Sequence, residues 1–197
     1  MRRKTVDAIV TAAGLGLAVL LLISGGLLTW GSTFVGSQVR SQLSAQQIFF
    51  PAAADPALAD PAVAPYLARY AGQQLINGEQ AKAYADHFIA VHLKKISGGL
   101  PYSTLSAQAQ KDPTNTALTG RVATVFRGET LRGLLLNAYA FGTMARIAGI
   151  AAVTAFTGAG LMLLLCLLGL LHLRRVPAGA QPAALIVPGW HPESTHV

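Results

Sequence analysis

Residues 8–30 read AIVTAAGLGLAVLLLISGGLLTW, and this stretch decides the class of the protein because it carries no charged residue. Residues 147–173 read IAGIAAVTAFTGAGLMLLLCLLGLLHL and also lack Asp, Glu, Lys and Arg. A helix needs about 20 predominantly apolar residues to cross the hydrocarbon core of a bilayer. Both stretches are apolar all round, whereas helices that pack on a soluble core are amphipathic. The sequence therefore predicts two transmembrane helices.

Composition and charge favour a lipid bilayer as the main partner. Only 12% of the 197 residues are charged, against about 25% in a typical soluble domain. The formal net charge of +7 could indicate nucleic-acid binding. However, the basic residues lie at the two ends or are scattered among acids in the centre, and they form no basic stripe that could follow a phosphate backbone. We expect no nucleic-acid partner.

The orientation follows from the short flanks of the two spans. Three basic residues precede the first span at positions 2–4, and Arg174 and Arg175 follow the second. Short flanks rich in Lys and Arg stay on the cytoplasmic side. We expect both termini to be cytoplasmic and the first span to be an uncleaved anchor, because its apolar core is longer than the 7–15 residues of a signal peptide.

These inferences predict an all-α membrane protein: two antiparallel transmembrane helices with outward extensions, and a small helical extracytoplasmic domain between them. Basic flanks also suggest where each part lies. The predicted parts are a cytoplasmic N-terminus (1–7), transmembrane helix 1 (8–30), an extracytoplasmic helical domain (31–146), transmembrane helix 2 (147–173) and a disordered cytoplasmic tail (174–197). Within the tail, residues 185–190 are a possible docking strip.

The central region contains three predicted elements and one irregular stretch. Residues 31–47 should extend the first helix outward, and the proline-rich residues 51–65 should be extended or turn-like and outside the core. The best soluble helix covers 77–97, with Asn77 as N-cap and Gly98 as stop. A further helix should begin near Asp112-Pro113, with Asp112 as N-cap, and continue into the second span. The predicted apolar face of helix 77–97 comprises Ala81, Tyr84, Ala85, Phe88, Ile89, Val91 and Ile96.

Small residues suggest how the two spans pack. Small residues at matching depth let helix backbones approach closely in lipid. One predicted contact surface consists of Ser24, Gly25 and Gly26 on the first span and Ala148, Ala151, Ala152 and Ala155 on the second. A second stripe, made of Ala8, Ala12 and Gly16, could face another copy of the chain and suggests a homo-oligomer.

The sequence shows no constellation that carries catalytic, cofactor or metal chemistry. His87 and His92 lie in helix 77–97 but point about 140° apart, so they cannot share a metal ion. His92 belongs to the apolar face and should be a packing residue, while His87 lies on the polar flank and should be solvated. Nucleotide-binding loops and nucleophile motifs are also missing from the sequence. We therefore predict no catalytic residues and no cofactor.

The most distinctive polar cluster is Arg127, Glu129 and Arg132, near the predicted start of the second span. On a helix, Glu129 can pair with Arg132 at a spacing of i,i+3. The favoured interpretation is a structural or interaction network of ion pairs beside the membrane. Contact between the arginines and lipid phosphates is the alternative.

Several segments carry a family resemblance. Residues 70–74 read YAGQQ, Asn77-Gly78 follows, residues 81–89 read AKAYADHFI and residues 125–132 read VFRGETLR. The chain resembles, over about residues 10–175, a family of uncharacterised two-span membrane proteins from high-GC Gram-positive bacteria (actinobacteria). The resemblance implies a location in the bacterial plasma membrane and supplies no activity or site residues.

Three functional hypotheses remain. The leading one is a non-enzymatic accessory protein that presents its helical domain to a membrane or envelope protein. The second is a lipid- or small-molecule-sensing subunit whose cavity is lined by the apolar face of residues 81–96. The third is a subunit of an oligomeric transporter or pore, although neither span contains Asp, Glu, Lys or Arg, the residues that usually mark such pathways.

Overall fold

A computed structural model describes residues 3–175, and the predicted tail with its strip at 185–190 lies outside the described residues. Across the described residues all regular structure is helical and no strand forms. An isolated antiparallel bridge joins Phe49 to Gln74. The predicted all-α fold, with two long apolar helices joined by a smaller helical region, is confirmed.

Six α-helices organise this part of the chain. They are α1 (Arg3–Ala45), α2 (Ala64–Leu67), α3 (Gly78–Tyr84), α4 (Ala90–Ser97), α5 (Tyr102–Lys111) and α6 (Thr116–Arg175). α1 and α6 are long and apolar enough to cross a membrane, and most of the apolar window in each is exposed. Apolar side chains that are not covered by protein suit a helix surrounded by lipid.

The first long helix continues well past its predicted span, as expected. α1 runs without interruption to Ala45. Gln47 then adopts a left-handed backbone conformation with φ of 52°, which an L-residue other than glycine rarely adopts within a helix. The helix therefore ends two residues before the predicted limit at residue 47.

The predicted start of the last helix is wrong. Asp112 does not cap a helix that begins at Pro113; it lies at the C-terminal end of α5, which has no counterpart among the predicted elements. α6 begins at Thr116, and the Asn115 side chain accepts a hydrogen bond from the Leu118 amide at 3.0 Å. Asn is as good an N-cap as Asp, so residue type alone did not show which of Asp112 and Asn115 caps the helix.

The chain divides into two compact units, which we call the terminal unit (residues up to 22 together with 157 onward) and the head unit (residues 23–156). In the terminal unit the contact between α1 and α6 depends on small residues. A Cβ atom on Gly14 would lie 2.8 Å from Cys166 Sγ, and one on Gly169 would lie 3.3 Å from Thr11 Oγ1. Such short distances require residues without large side chains.

The stripe of Ala8, Ala12 and Gly16 is exposed in the terminal unit. A Cβ atom on Gly16 would meet nothing within 4 Å. At Gly16 the stripe therefore faces away from α6, whereas the Cβ position of Gly14, two residues earlier, faces Cys166 of α6. The homo-oligomer that this stripe suggested stays a prediction.

Long helices also meet in the head unit. A Cβ atom on Gly25 would lie 2.9 Å from the Phe156 ring, whereas one on Gly26 would meet nothing within 4 Å. The Ser32 hydroxyl donates a hydrogen bond to the Ala145 carbonyl at 2.7 Å. Of the alanines predicted for this contact, Ala152 and Ala155 are buried.

A hydrophobic core holds the head unit together. Backbone hydrogen bonds from Phe50 to Gln73 and from Leu75 to Ile48 join the two ends of the segment between α1 and α3. Val63 is fully buried, so the prediction that residues 51–65 lie outside the core is wrong at that position. The buried core consists of Val39, Leu43, Phe50, Val63, Leu67, Leu75, Ala81, Ala85, Ile89, Leu93 and Leu135.

The predicted helix at 77–97 is confirmed at both ends but not in its interior. Asn77 Oδ1 accepts a hydrogen bond from the Gln80 amide at 2.9 Å, and Gly98 ends the helix with φ of 67°. Between α3 and α4, residues Ala85–Ile89 form a π-helical turn, in which the Ala90 amide donates to the Ala85 carbonyl. A π turn inserts one extra residue into the helical repeat.

The extra residue changes which side chains of α4 reach the core. Ile96, predicted in the apolar face, is 39% exposed, whereas Leu93 is 6% exposed and belongs to the core. A regular helix advances by about 100° per residue, so one inserted residue moves the buried face of α4 by about one position. The prediction for Ile96 is wrong for that reason.

Candidate functional site

The three residues of the predicted polar cluster do not all share one network. Arg132 lies 3.4 Å from Glu129 Oε2 and 3.3 Å from Asp86 Oδ1. Lys82 completes the group with a 2.5 Å ion pair to Asp86. Arg127 is exposed and forms none of the described ion pairs. The network thus links α6 to the π turn, with Asp86 at its centre.

Asp86 and Lys82 shift each other's pKa in opposite directions. The hydrogen bond from Lys82, with a smaller contribution from Arg132, lowers the pKa of Asp86 below its ordinary value of 3.8. The same hydrogen bond raises the pKa of Lys82 above 10.5. Because both side chains remain partly exposed, their ion pairs should contribute only about 1 kcal/mol.

We expect Asp86→Asn to lower the free energy of unfolding by about 1 kcal/mol at neutral pH. Because folding lowers the pKa of Asp86, its ionised carboxylate stabilises the fold at pH values above the pKa of the unfolded chain. This stabilisation is lost as the pH falls below 3.8 and through the pKa of the folded chain. The variant should therefore lose less stability in acid than the native chain. Denaturation of the solubilised protein at several pH values measures this difference.

Asp55→Asn is the matched control for this prediction. The Asp55 side chain accepts a hydrogen bond from the Ala57 amide at 2.8 Å, a bond that asparagine can also accept. Asp55 forms none of the described ion pairs, so this variant should lower the free energy of unfolding less than Asp86→Asn does at neutral pH. Identical pH profiles for Asp86→Asn and the native protein would contradict the role assigned to Asp86.

The histidines occupy packed positions. His92 Nδ1 lies 2.7 Å from the Phe88 carbonyl oxygen, which fits the predicted packing role. His87 is not simply solvated, because its ring stacks on Tyr66 with a centroid distance of 3.5 Å. Within residues 3–175, no three His, Cys, Asp or Glu side chains come together in a way that could hold a metal ion.

The head unit also contains a groove of about 430 Å³. This volume lies in the range of small-molecule pockets. α1 contributes Gly36 and Arg40, and α6 contributes Tyr139, Thr143 and Arg146. Residues 70–79, which lead into the first turn of α3, contribute further lining residues, namely Tyr70, Ile76, Asn77, Gly78 and Glu79. We call this space the Arg40 groove.

Two of the residues that line the Arg40 groove, Gly78 and Gly142, are glycines at the contact between α3 and α6. A Cβ atom on Gly78 would lie 3.0 Å from the Tyr139 Cα and 3.2 Å from the Ala138 carbonyl oxygen. On the facing helix, a Cβ atom on Gly142 would lie 3.4 Å from the Gly78 Cα. α3 and α6 therefore meet backbone to backbone, because neither residue has a side chain at the contact.

Charges in the Arg40 groove are unbalanced. Arg146 donates a hydrogen bond to Glu79 Oε1 at 2.6 Å. Among the described residues no carboxylate forms an ion pair with Arg40. With two arginines and one glutamate in its lining, the groove can attract an anion through Arg40.

The structure corrects the predicted sensing cavity. Ala81, Ala85 and Ile89, from the predicted apolar face, are buried in the core of the head unit and are not among the residues that line the groove. The Arg40 groove is lined by other residues, which include Arg40 and Arg146. The spacing of Arg40 and Arg146 in the sequence does not predict that α1 and α6 bring them into one groove.

Comparisons with known proteins place no constraint on this site. No family model matches the chain, and no curated protein or solved structure matches it.

Proposed function

We propose that this chain is a non-enzymatic two-span protein of the bacterial plasma membrane, and that the part of its head unit between the spans, residues 31–146, lies on the outer side as a binding module. Two helices that are long and apolar enough to cross a membrane support the location. The basic residues that flank the two spans support cytoplasmic termini. The resemblance to an actinobacterial membrane family supports the same location.

The observation that carries the binding role is the Arg40 groove. It opens beside a packed core in the head unit, and it is lined by a cation without a described carboxylate partner. Concave sites with a few polar groups are the usual places for ligands. The accessory role therefore consists of recognising an anionic component or partner at the membrane surface.

A lipid- or small-molecule-sensing subunit is the second candidate, and the same groove favours it. The two candidates differ in what the bound state does. An accessory protein should form a stoichiometric complex or oligomer in gently solubilised membranes, whereas a sensing subunit should change such a complex when its ligand is added. Crosslinking in native membranes, with and without added ligand, separates them.

The orientation is tested by cysteine labelling, for which the chain is well suited because Cys166 is its single cysteine. In a Cys166→Ala background, Ser103→Cys tests the head unit and Ser194→Cys tests the C-terminal tail. In intact cells a membrane-impermeant maleimide should label the first variant, and it should label the second only after permeabilisation. Labelling of both positions from the same side would overturn the proposed orientation.

A further inference from the structure

We propose that the Arg40 groove binds a phosphate group, carried either by the headgroup of an anionic membrane lipid or by a soluble phosphate ester. The inference deepens the proposed binding role and rests on it. Arginine is suited to phosphate because its planar guanidinium presents several donors to the anion oxygens. Arg40 and Arg146 line the same groove from different helices.

Arg146 keeps donors for a ligand even though it is paired. One guanidinium nitrogen, Nη2, forms the described hydrogen bond to Glu79, and an arginine has five N–H donors in total. The side chains of Arg146 and Glu79 are both largely exposed, so a phosphate can approach this pair from the solvent. Arg40 supplies the positive charge that Glu79 does not balance.

The groove lies at the level expected for lipid phosphates. Arg146 directly precedes residue 147, the first residue of the predicted second span. Arg40 follows Trp30, the last residue of the first predicted span, by about 15 Å at 1.5 Å per residue. Lipid headgroups occupy several ångströms on each side of the hydrocarbon core. One end of the groove therefore meets the headgroup layer and the other extends into the aqueous phase.

Glycine at position 36 keeps the groove open. A Cβ atom on Gly36 would meet nothing within 4 Å, so a small side chain fits there and a large one extends into the groove. A large side chain at position 36 can therefore block the groove without removing a charge. It also separates occupation of the groove from general attraction between a basic protein and anions.

The test uses the full-length protein in two sets of nanodiscs. In the first set, phosphatidylcholine discs contain a minor fraction of phosphatidylglycerol, and native mass spectrometry counts the retained phosphatidylglycerol. In the second set, pure phosphatidylcholine discs are titrated with glycerol phosphate, and thermal unfolding reports binding. Saturable binding in the first set alone identifies a lipid headgroup, and saturable binding in the second identifies a soluble phosphate ester.

Two variants and one control decide whether the groove is the site. Arg40→Gln and Gly36→Phe should each weaken binding roughly ten-fold or more, the effect of losing a hydrogen bond to a charged group or of filling its space. Arg121→Gln removes the same charge from an exposed position of α6 outside the groove and should leave binding unchanged. If Gly36→Phe fails to fold by circular dichroism, Arg40→Gln and Arg121→Gln decide alone.

Two outcomes would overturn the inference. One is the absence of saturable binding in both sets of discs, and the other is an equal loss of binding in Arg40→Gln and Arg121→Gln, which would indicate general electrostatic attraction. A head unit on the cytoplasmic side would overturn the proposed orientation but leave groove binding intact. An outward-facing head unit with a recovered partner and no phosphate binding would overturn the phosphate assignment and leave the binding role standing.

Discussion

Replacing Leu135 with alanine is expected to lower the free energy of unfolding by about 2–5 kcal/mol. Leu135 projects from α6 into the core of the head unit, where it is 1% exposed. The substitution removes buried apolar surface and leaves a cavity that packed neighbours fill only in part. Titration of the detergent-solubilised protein with a denaturing detergent, followed by circular dichroism, measures the loss.

Leu134 provides the matched control on the same helix. It is 57% exposed, so Leu134→Ala removes the same atoms without creating a cavity. We expect a change within about 0.5 kcal/mol, as for surface substitutions in general. Comparable losses for Leu134→Ala and Leu135→Ala would show that the orientation of α6 in the head unit is incorrect.

The second large effect is expected for Gly78→Ala, which should lower the free energy of unfolding by about 1–3 kcal/mol. The new Cβ atom would lie 3.0 Å from the Tyr139 Cα and 3.2 Å from the Ala138 carbonyl oxygen. Both atoms belong to the backbone of α6, which cannot move aside as a side chain can. The helices must therefore separate, and the same denaturation experiment measures the cost.

Gly120→Ala should instead raise the free energy of unfolding. Gly120 lies in α6, and its Cβ atom would meet nothing within 4 Å. Replacing an exposed helical glycine with alanine stabilises a helix by about 0.5–1 kcal/mol because alanine loses less backbone entropy on folding. A loss of stability in both variants would mean that the contact between Gly78 and α6 is not the cause.

The long-range plan of the molecule could be predicted from the sequence because hydropathy acts over many residues. The two apolar stretches gave the two long helices, and the lack of a breaker after residue 36 gave the outward extension of α1 to Ala45. Asn77 and Gly98 were recognised as helix ends because their conformations have simple chemical causes. The apolar stretches and the helix ends are both encoded by residues that are close together in the sequence.

Positions that depend on tertiary packing were not predictable in the same way. The π turn at Ala85–Ile89 has no signature in the apolar pattern, so Leu93 was missed and Ile96 was assigned to the core. Val63 was assigned to an exposed stretch, although the core encloses it. In both cases the contacts that bury a residue come from distant parts of the chain, which a local pattern cannot supply.

The candidate site shows the same division. The pairing of Glu129 with Arg132 follows from an i,i+3 spacing on a helix. The ion pair between Arg132 and Asp86 could not be predicted from spacing, because the two residues lie on different elements. The Arg40 groove is built from three such elements, and only a three-dimensional arrangement brings their side chains into one space.

The π turn has a consequence for comparing this chain with others. Asp86 and His87 lie in that turn, one paired with Arg132 and the other stacked on Tyr66. A related chain that is one residue shorter between positions 85 and 89 could close a regular helix there and still align on both sides. Helical wheels of the two chains would then agree before the gap. After the gap, equivalent residues would differ in wheel angle by about 100°, the rotation of one residue. An alignment that places the gap elsewhere would match surface residues to core residues along all of α4.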